Sequence, residues 1–305
     1  MLVYYSDYFL KHSMGHGHPE CPERLEVIKK ELEKNKEIKF LEPKPITDED
    51  LYLVHEKRYI AKLKQLSEKG ASYSDDSVVS EDSHPDNVFS KETFAIASLA
   101  ASAAKEAALS CDKEFSFALV RPPGHHAGKS SFAGFCYINN IAFAVRSLQA
   151  KNKGKGMIID IDYHHGNGTQ DIFYNDESVF YFSLHSDPRT AYPGTGFKSE
   201  NNKHVRNVPL PKNISDEEYL KEFEKELDDS FKSFEPDFIG VSAGFDTYNA
   251  DPIAGLGIQN INTYKLIGEK ISSFKLPTFI ILEGGYYLPK LGEMVKTFFS
   301  GFQKI

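Results

Sequence analysis

The chain has 305 residues and a formal net charge of −8, which argues against a nucleic-acid binder with its basic patch but leaves a basic protein or a cationic small molecule open as substrate. No apolar run is long enough to cross a bilayer, and residues 1–10 lack the basic and apolar segments of a signal peptide. The three cysteines, Cys21, Cys111 and Cys136, form no C-x-x-C pair, so the expected setting is reducing and cytoplasmic.

In chain order, residues 1–5 read as a short strand. Residues 22–35 read as a helix with Pro22 in its first turn, where a missing N–H costs little. The Ser- and Asp-rich stretch 69–87 reads as a long surface loop, and the Ala-rich stretch 91–110 as an amphipathic helix. A buried strand is expected over 115–120 and a helix over 139–151, with Ile141, Ala142, Val145 and Leu148 along one stripe. Apolar runs at 156–161 and 179–184 read as further buried strands. A helix follows over 215–234, with Ser215 as N-cap and Asp216, Glu217 and Glu218 in its first turn. A strand over 238–241, a helix over 262–274 and a strand over 278–282 complete the pattern. Alternating strands and helices predict an α/β fold, three layers with a mainly parallel central sheet, in a single domain over 1–305.

Polar residues cluster just past the predicted strands, where ligands bind in open α/β sheets. Asp162 and His164 are two apart, so in an extended segment both side chains point the same way and reach one cation. Asp246, past another strand, is the best third ligand. Two carboxylates and one imidazole leave a position open for water, as catalytic zinc requires, and the oxygen-rich set also tolerates Fe(II) or Mn(II). A strand-end salt bridge would explain Asp162 and His164 alone, but not the adjacent His125–His126 pair as well. Carboxylate ligands weaken the cation's Lewis acidity, so the water needs a base and the oxyanion a further donor. The His125–His126 pair can supply the base, and Tyr286, after Gly284 and Gly285, the donor. Asp160 and Asn167 are candidate partners that fix the tautomers of the pair.

Together these residues resemble the zinc-dependent histone deacetylase and acetylpolyamine amidohydrolase family, which has the arginase/deacetylase fold. The resemblance runs through His18-Pro19-Glu20 with Pro22 and Arg24, then RPPGHHA, GFCYINN, DIDYHHGNGTQ, SAGFD and LEGGY. The HHGNG form looks like the class II branch and its prokaryotic relatives. The resemblance implies that Asp162, His164 and Asp246 bind Zn2+. It makes His126 the general base and acid, with His125 assisting electrostatically and Asp160 orienting His125. It implies an acyl-lysine channel walled by Phe135 and Tyr192, with Gly134, Tyr286 and the apolar gatekeeper Ile253 nearby and Asp86 at the rim. It puts Arg24 along an inner exit for acetate. A structural K+ is implied near Asp160, Asp162, His164, Ser183 and Leu184. Arginases share the fold but use two manganese ions. Tyr163 and His165 flank His164 here, so one catalytic metal is expected.

The expected activity is hydrolysis of acetyl or other acyl groups from lysine side chains, on a protein or a small acetylated amine. Acetylpolyamine hydrolysis is the nearest alternative: Ile253 after Asp251-Pro252 is apolar where a polyamine-selective branch is acidic, yet the acidic stretch around residues 74–86 could serve a polyamine, particularly in a dimer. A non-catalytic acyl-lysine binder is a third reading, which expects a lost ligand, His or Tyr; none is lost. No nucleic-acid or membrane partner is expected, and oligomerisation is open.

Overall fold

The computed structural model describes residues 1–70, 86–112, 115–151 and 154–302. Eight strands, β1 (Leu2–Tyr4), β2 (Lys39–Leu41), β3 (Ser116–Ala118), β4 (Gly156–Asp160), β5 (Val179–Ser186), β6 (Val205–Leu210), β7 (Phe238–Ala243) and β8 (Thr278–Leu282), form one sheet in the order β2-β1-β3-β8-β7-β4-β5-β6. Every adjacent pair is parallel. The apolar runs explain the centre: β3, β4, β5, β7 and β8 are buried along their whole length, as strands covered on both faces must be.

The helices are α1 (Glu23–Leu32), α2 (Asp48–Leu51), α3 (Lys57–Lys69), α4 (Thr93–Ser110), α5 (Asn140–Gln149), α6 (Asn167–Phe173), α7 (Asp216–Ser233), α8 (Asn262–Ser272) and α9 (Leu288–Ser300). α4 packs on α5, and the two lie over β1, β3, β7 and β8. α1, α9, α8 and α7 pack in succession as a second group, with α7 on β5 and β6. Capping follows the expected chemistry. The Asn139 side chain accepts from Ala142 N, and Ser215 and Glu218 form a reciprocal capping box. α4 differs from the amphipathic expectation: Ala97, Ala100, Ala101, Ala103, Ala104, Ala107 and Ala108 are buried around most of its circumference, because it is held between the sheet, α5 and α3.

The stretch expected as a surface loop over 69–87 lies mostly outside the described residues. Of its ends, Lys69 closes α3, and Asn87 is buried and donates from Nδ2 to Cys136 O. The strand order has one consequence for function. From β3 the chain crosses to β4 and later returns through β7 and β8, so the loops after four adjacent strands (β3, β8, β7 and β4) meet at one sheet edge. Among the described residues, no helix is long and apolar enough to cross a membrane.

Candidate active site

Beyond β4 the backbone stays aligned with β7, Ile161 N donating to Ser242 O at 3.0 Å. This carries Asp162 and His164 toward Asp246. One donor atom from each of the three lies within 4.8 Å of the others, the one such cluster of metal-ligating side chains among the described residues. His164 Nδ1 is 3.1 Å from Asp162 Oδ1 and 3.1 Å from Asp246 Oδ2. Backbone amides hold the carboxylates in place: Gly284 N donates to Asp162 Oδ2 (2.8 Å), and Tyr163 N to Asp246 Oδ1 (3.0 Å). Asp246 Oδ2 is buried and receives no hydrogen bond. Burial, then the facing Asp162 carboxylate, pushes the pKa of Asp246 up to about 7. A divalent cation would satisfy the orphaned oxygen and turn that repulsion into attraction, so the donor set fits a metal. Gly284 is required here, since a Cβ on it would lie 2.6 Å from Asp162 Oδ2 and 2.6 Å from Asp246 Oδ2.

The loop after β3 brings in the two histidines. Its turn is held by Glu283, just past β8, whose Oε2 accepts from Gly124 N (2.7 Å) and His125 N (3.2 Å). The imidazole centroids are 4.0 Å apart, but their partners differ. His125 Nδ1–H donates to Asp160 Oδ2 (3.1 Å), which also accepts from Tyr181 Oη (3.0 Å). His126 Nδ1–H donates to the neutral Asn167 Oδ1 at 2.7 Å, leaving Nε2 as the acceptor. Burial opposes charge on both rings. For His125 the carboxylates of Asp162 and Asp160 outweigh it and hold the pKa up to about 10. For His126 burial and the positive charge of His125 act together and push it well below the ordinary value. The two adjacent rings are thus pushed in opposite directions, the pattern from which acid and base roles are assigned.

A cavity of about 260 Å³ reaches this edge, lined by Gly134, Phe135, Tyr192, Ile253 and Asp86 together with His125, His126, His164, Gly284 and Tyr286. Every residue expected in the substrate channel therefore borders the same space as the histidines. The Tyr192 ring stands edge-on to His126, centroids 5.1 Å apart, and Phe135 edge-on to Tyr286 at 6.2 Å. Gly134 has φ +53°, and a Cβ there would lie 2.4 Å from His126 Cδ2, so a side chain would displace the ring. A second cavity of about 390 Å³ near β6 and α7, lined by Val208, Leu210 and Glu218 among others, carries none of these groups. Of the residues expected around a structural cation, Asp160 in β4 lies directly across from Ser183 in β5, with Leu184 next. The Ser183 hydroxyl is 2.8 Å from His185 Nδ1.

Several residues of the site have roles that sequence reasoning did not assign. Glu283 supports the histidine turn. Asp251 accepts from Tyr286 N (2.7 Å). Arg24, expected along an exit route, is fully buried and donates to the carbonyls of Gly285 (2.7 Å) and Glu283, its guanidinium 4.7 Å from the Tyr286 ring centre. Its Nη1 lies 3.4 Å from Glu20, a carboxylate it shares with Arg121, whose two bonds to Glu20 are 2.8 Å each. Glu283 and Arg24 stand inside the quoted motifs, LEGGY and the stretch from His18 to Arg24, and that placement is the only sequence signal for them.

Comparison with known proteins identifies the family of the chain. The histone deacetylase domain family matches residues 18–302. A probable deacetylase of Archaeoglobus fulgidus is 35% identical over 93% of this chain and 80% of its own. The crystal structure of the HDA15 HD domain superposes with a TM-score of 0.89 at 30% identity, covering 99% of this chain and 90% of that one. An acetylpolyamine aminohydrolase from Burkholderia pseudomallei gives 0.86 at 28% identity, covering 99% and 98%. With the match extending over nearly the whole chain, the protein belongs to the histone deacetylase domain family.

Proposed function

We propose that this chain is a metal-dependent deacetylase that hydrolyses the acyl amide of lysine side chains, acting as one catalytic domain. The observation that carries the reading is the cavity that joins Phe135 and Tyr192 to the His125–His126 pair and His164. Asp162, His164 and Asp246 would hold the cation, Zn2+ by family use, with Fe2+ accepted by the same oxygen-rich set. When bound, the metal supplies Lewis acidity toward the acyl carbonyl and water.

The residues of the chain do the rest. The rings of Phe135 and Tyr192 flank the methylenes of the lysine stem without holding charge. His126 Nε2, free because Nδ1 is bonded to Asn167, takes a proton from the attacking water as its oxygen bonds to the acyl carbon. The Tyr286 hydroxyl donates to the oxygen that becomes negative, and burial, which keeps its pKa well above the ordinary value, keeps the proton there to donate. His125, charged and paired with Asp160, adds positive potential beside that oxygen. The C–N bond then breaks, His126 returns its proton to the amine, and the carboxylate and lysine leave.

The same reading takes a structural K+ among Asp160, Asp162, His164, Ser183 and Leu184, and a cytoplasmic setting supported by three free cysteines. Acetylated polyamines remain the competing substrate class, since an acetylpolyamine aminohydrolase is among the similar structures. Ile253 at the cavity, apolar and 38% exposed, favours acyl-lysine over a second ammonium. The test is hydrolysis of acetyl-lysine and longer acyl-lysine peptides against N-acetylputrescine by zinc-loaded protein, with Tyr286→Phe as control. Faster turnover of the peptides, lost in the control, supports the reading. Turnover of N-acetylputrescine alone would replace it with polyamine deacetylation.

A further inference from the structure

The turn that presents Tyr286 contains two glycines, with Gly285 at φ +119°, and would be loose without outside anchors. Its backbone groups are pinned almost one by one. Glu283 N donates to Ala243 O (3.0 Å), and Phe245 N to Gly284 O (3.1 Å). Gly284 N is held by Asp162 Oδ2, and Arg24 holds the carbonyls of Glu283 and Gly285. The last anchor before the tyrosine ring is Asp251, whose Oδ2 accepts from Tyr286 N at 2.7 Å. Its other oxygen accepts from Ile253 N (3.0 Å) and Ala254 N (3.2 Å). That loop is closed on Asp246 itself, since Gly255 N donates to Asp246 O at 2.9 Å. One buried carboxylate therefore ties the tyrosine turn to a loop that starts at a metal-ligand residue and carries Ile253 into the cavity.

We propose that Asp251 is a positioning residue that sets the Tyr286 hydroxyl relative to the carbonyl under attack, by fixing the Tyr286 backbone to the 246–255 loop. The inference rests on Tyr286 as the oxyanion donor. Asp251→Asn preserves shape but replaces one acceptor oxygen with an NH2 group. That group cannot accept from Tyr286 N or, flipped, from Ile253 and Ala254. A misplacement of about an ångström at such a donor lowers turnover about 10- to 100-fold.

The experiment measures kcat and KM on an acetyl-lysine peptide for wild type, Asp251→Asn, Tyr286→Phe and the double variant. It also measures calorimetric binding of a trifluoromethyl-ketone lysine analogue, whose hydrate mimics the tetrahedral species, to all four. The expected result is a kcat loss of about 10- to 100-fold in Asp251→Asn with KM changed less than about threefold. Ketone binding should weaken in parallel, and neither quantity should fall further when the substitution is added to Tyr286→Phe. Equal losses in both backgrounds, or unchanged ketone affinity in Asp251→Asn, overturn the coupling while leaving the functional reading intact. A Tyr286→Phe variant with wild-type turnover and ketone affinity overturns the functional reading itself, and the coupling with it. Asp251→Glu, which keeps both acceptors one methylene farther out, carries the same comparison should the asparagine variant fail to fold.

Discussion

His126 Nδ1 lies 2.7 Å from Asn167 Oδ1, so the partner of the neutral imidazole is itself neutral, while its neighbour His125 is paired with the carboxylate of Asp160. An amide orients the ring and selects its tautomer but adds no charge to stabilise an imidazolium. Asn167→Asp supplies that charge at a half-buried position and should raise the pKa of His126. A general base works in its unprotonated form. The acidic limb of kcat/KM, which reports the free enzyme, should therefore move to higher pH by the same amount. A pH–rate profile of the variant on an acetyl-lysine peptide checks this, and an unmoved limb would remove His126 from the role of base.

Gly284 is the contact point between the tyrosine turn and Asp162 and Asp246, the two carboxylates of the proposed metal site. Its amide holds Asp162 Oδ2 at 2.8 Å, and a Cβ would come within 2.6 Å of an oxygen on each aspartate. Gly284→Ala must therefore displace at least one of the carboxylates. The expected outcome is metal affinity weakened about 10- to 100-fold, the usual cost of disturbing groups that orient ligands. Metal per chain after dialysis, together with competition against a chromophoric chelator, measures it. Stoichiometric metal at wild-type affinity would mean that Asp162, His164 and Asp246 do not form the metal site.

The parts of the structure that could be read in the sequence are those whose signal is local. Strands β4, β5, β7 and β8 are continuous apolar runs because both faces are covered, and Ser215 caps its helix through its own next three residues. The edges were harder. β2 is three residues with partly exposed side chains, and β6 contains Arg206, Asn207 and Pro209, tolerable only on an edge strand. The sequence reading has no helix at α2, α3, α6 or α9, although α3 and α9 carry an apolar face and α9 has Pro289 in its first turn. At the site, Asp162, His164, His125 and His126 stood out because such residues are rare beside glycine after a strand. Asp251 and Glu283 did not, because what they hold is backbone: Asp251 meets Tyr286 N 35 positions away, and Glu283 meets Gly124 N 159 positions away. Nothing in a residue's type says which distant amide its carboxylate will accept from.

His55 supports the histidine turn from outside and gives the fold a pH dependence of its own. Its Nδ1–H donates to Gly128 O (2.9 Å), and its Nε2 accepts from Asn139 N (3.0 Å), which ties the end of the turn to the cap of α5. A protonated ring could not accept the second bond. Burial lowers its pKa from the ordinary 6.5 to about 4, the Gly128 carbonyl opposing only part of that shift. Below pH 6.5 the unfolded chain takes up a proton that the folded chain refuses until about pH 4, so stability present above 6.5 is lost as the pH falls through this window. The slope approaches about 1.4 kcal/mol per pH unit, and about 3 kcal/mol is lost in all. His12 and His185 are also buried and held down to about 4, and they steepen the wild-type curve further. His55→Gln cannot titrate. At pH 7 it should be less stable than wild type by about 1–3 kcal/mol for the lost hydrogen bond and altered packing, and the deficit should shrink as the pH falls and vanish or reverse by about pH 4. Urea unfolding of both proteins at several pH values between 7 and 4 reads the difference directly. A deficit independent of pH would mean that His55 is not held neutral in the folded chain.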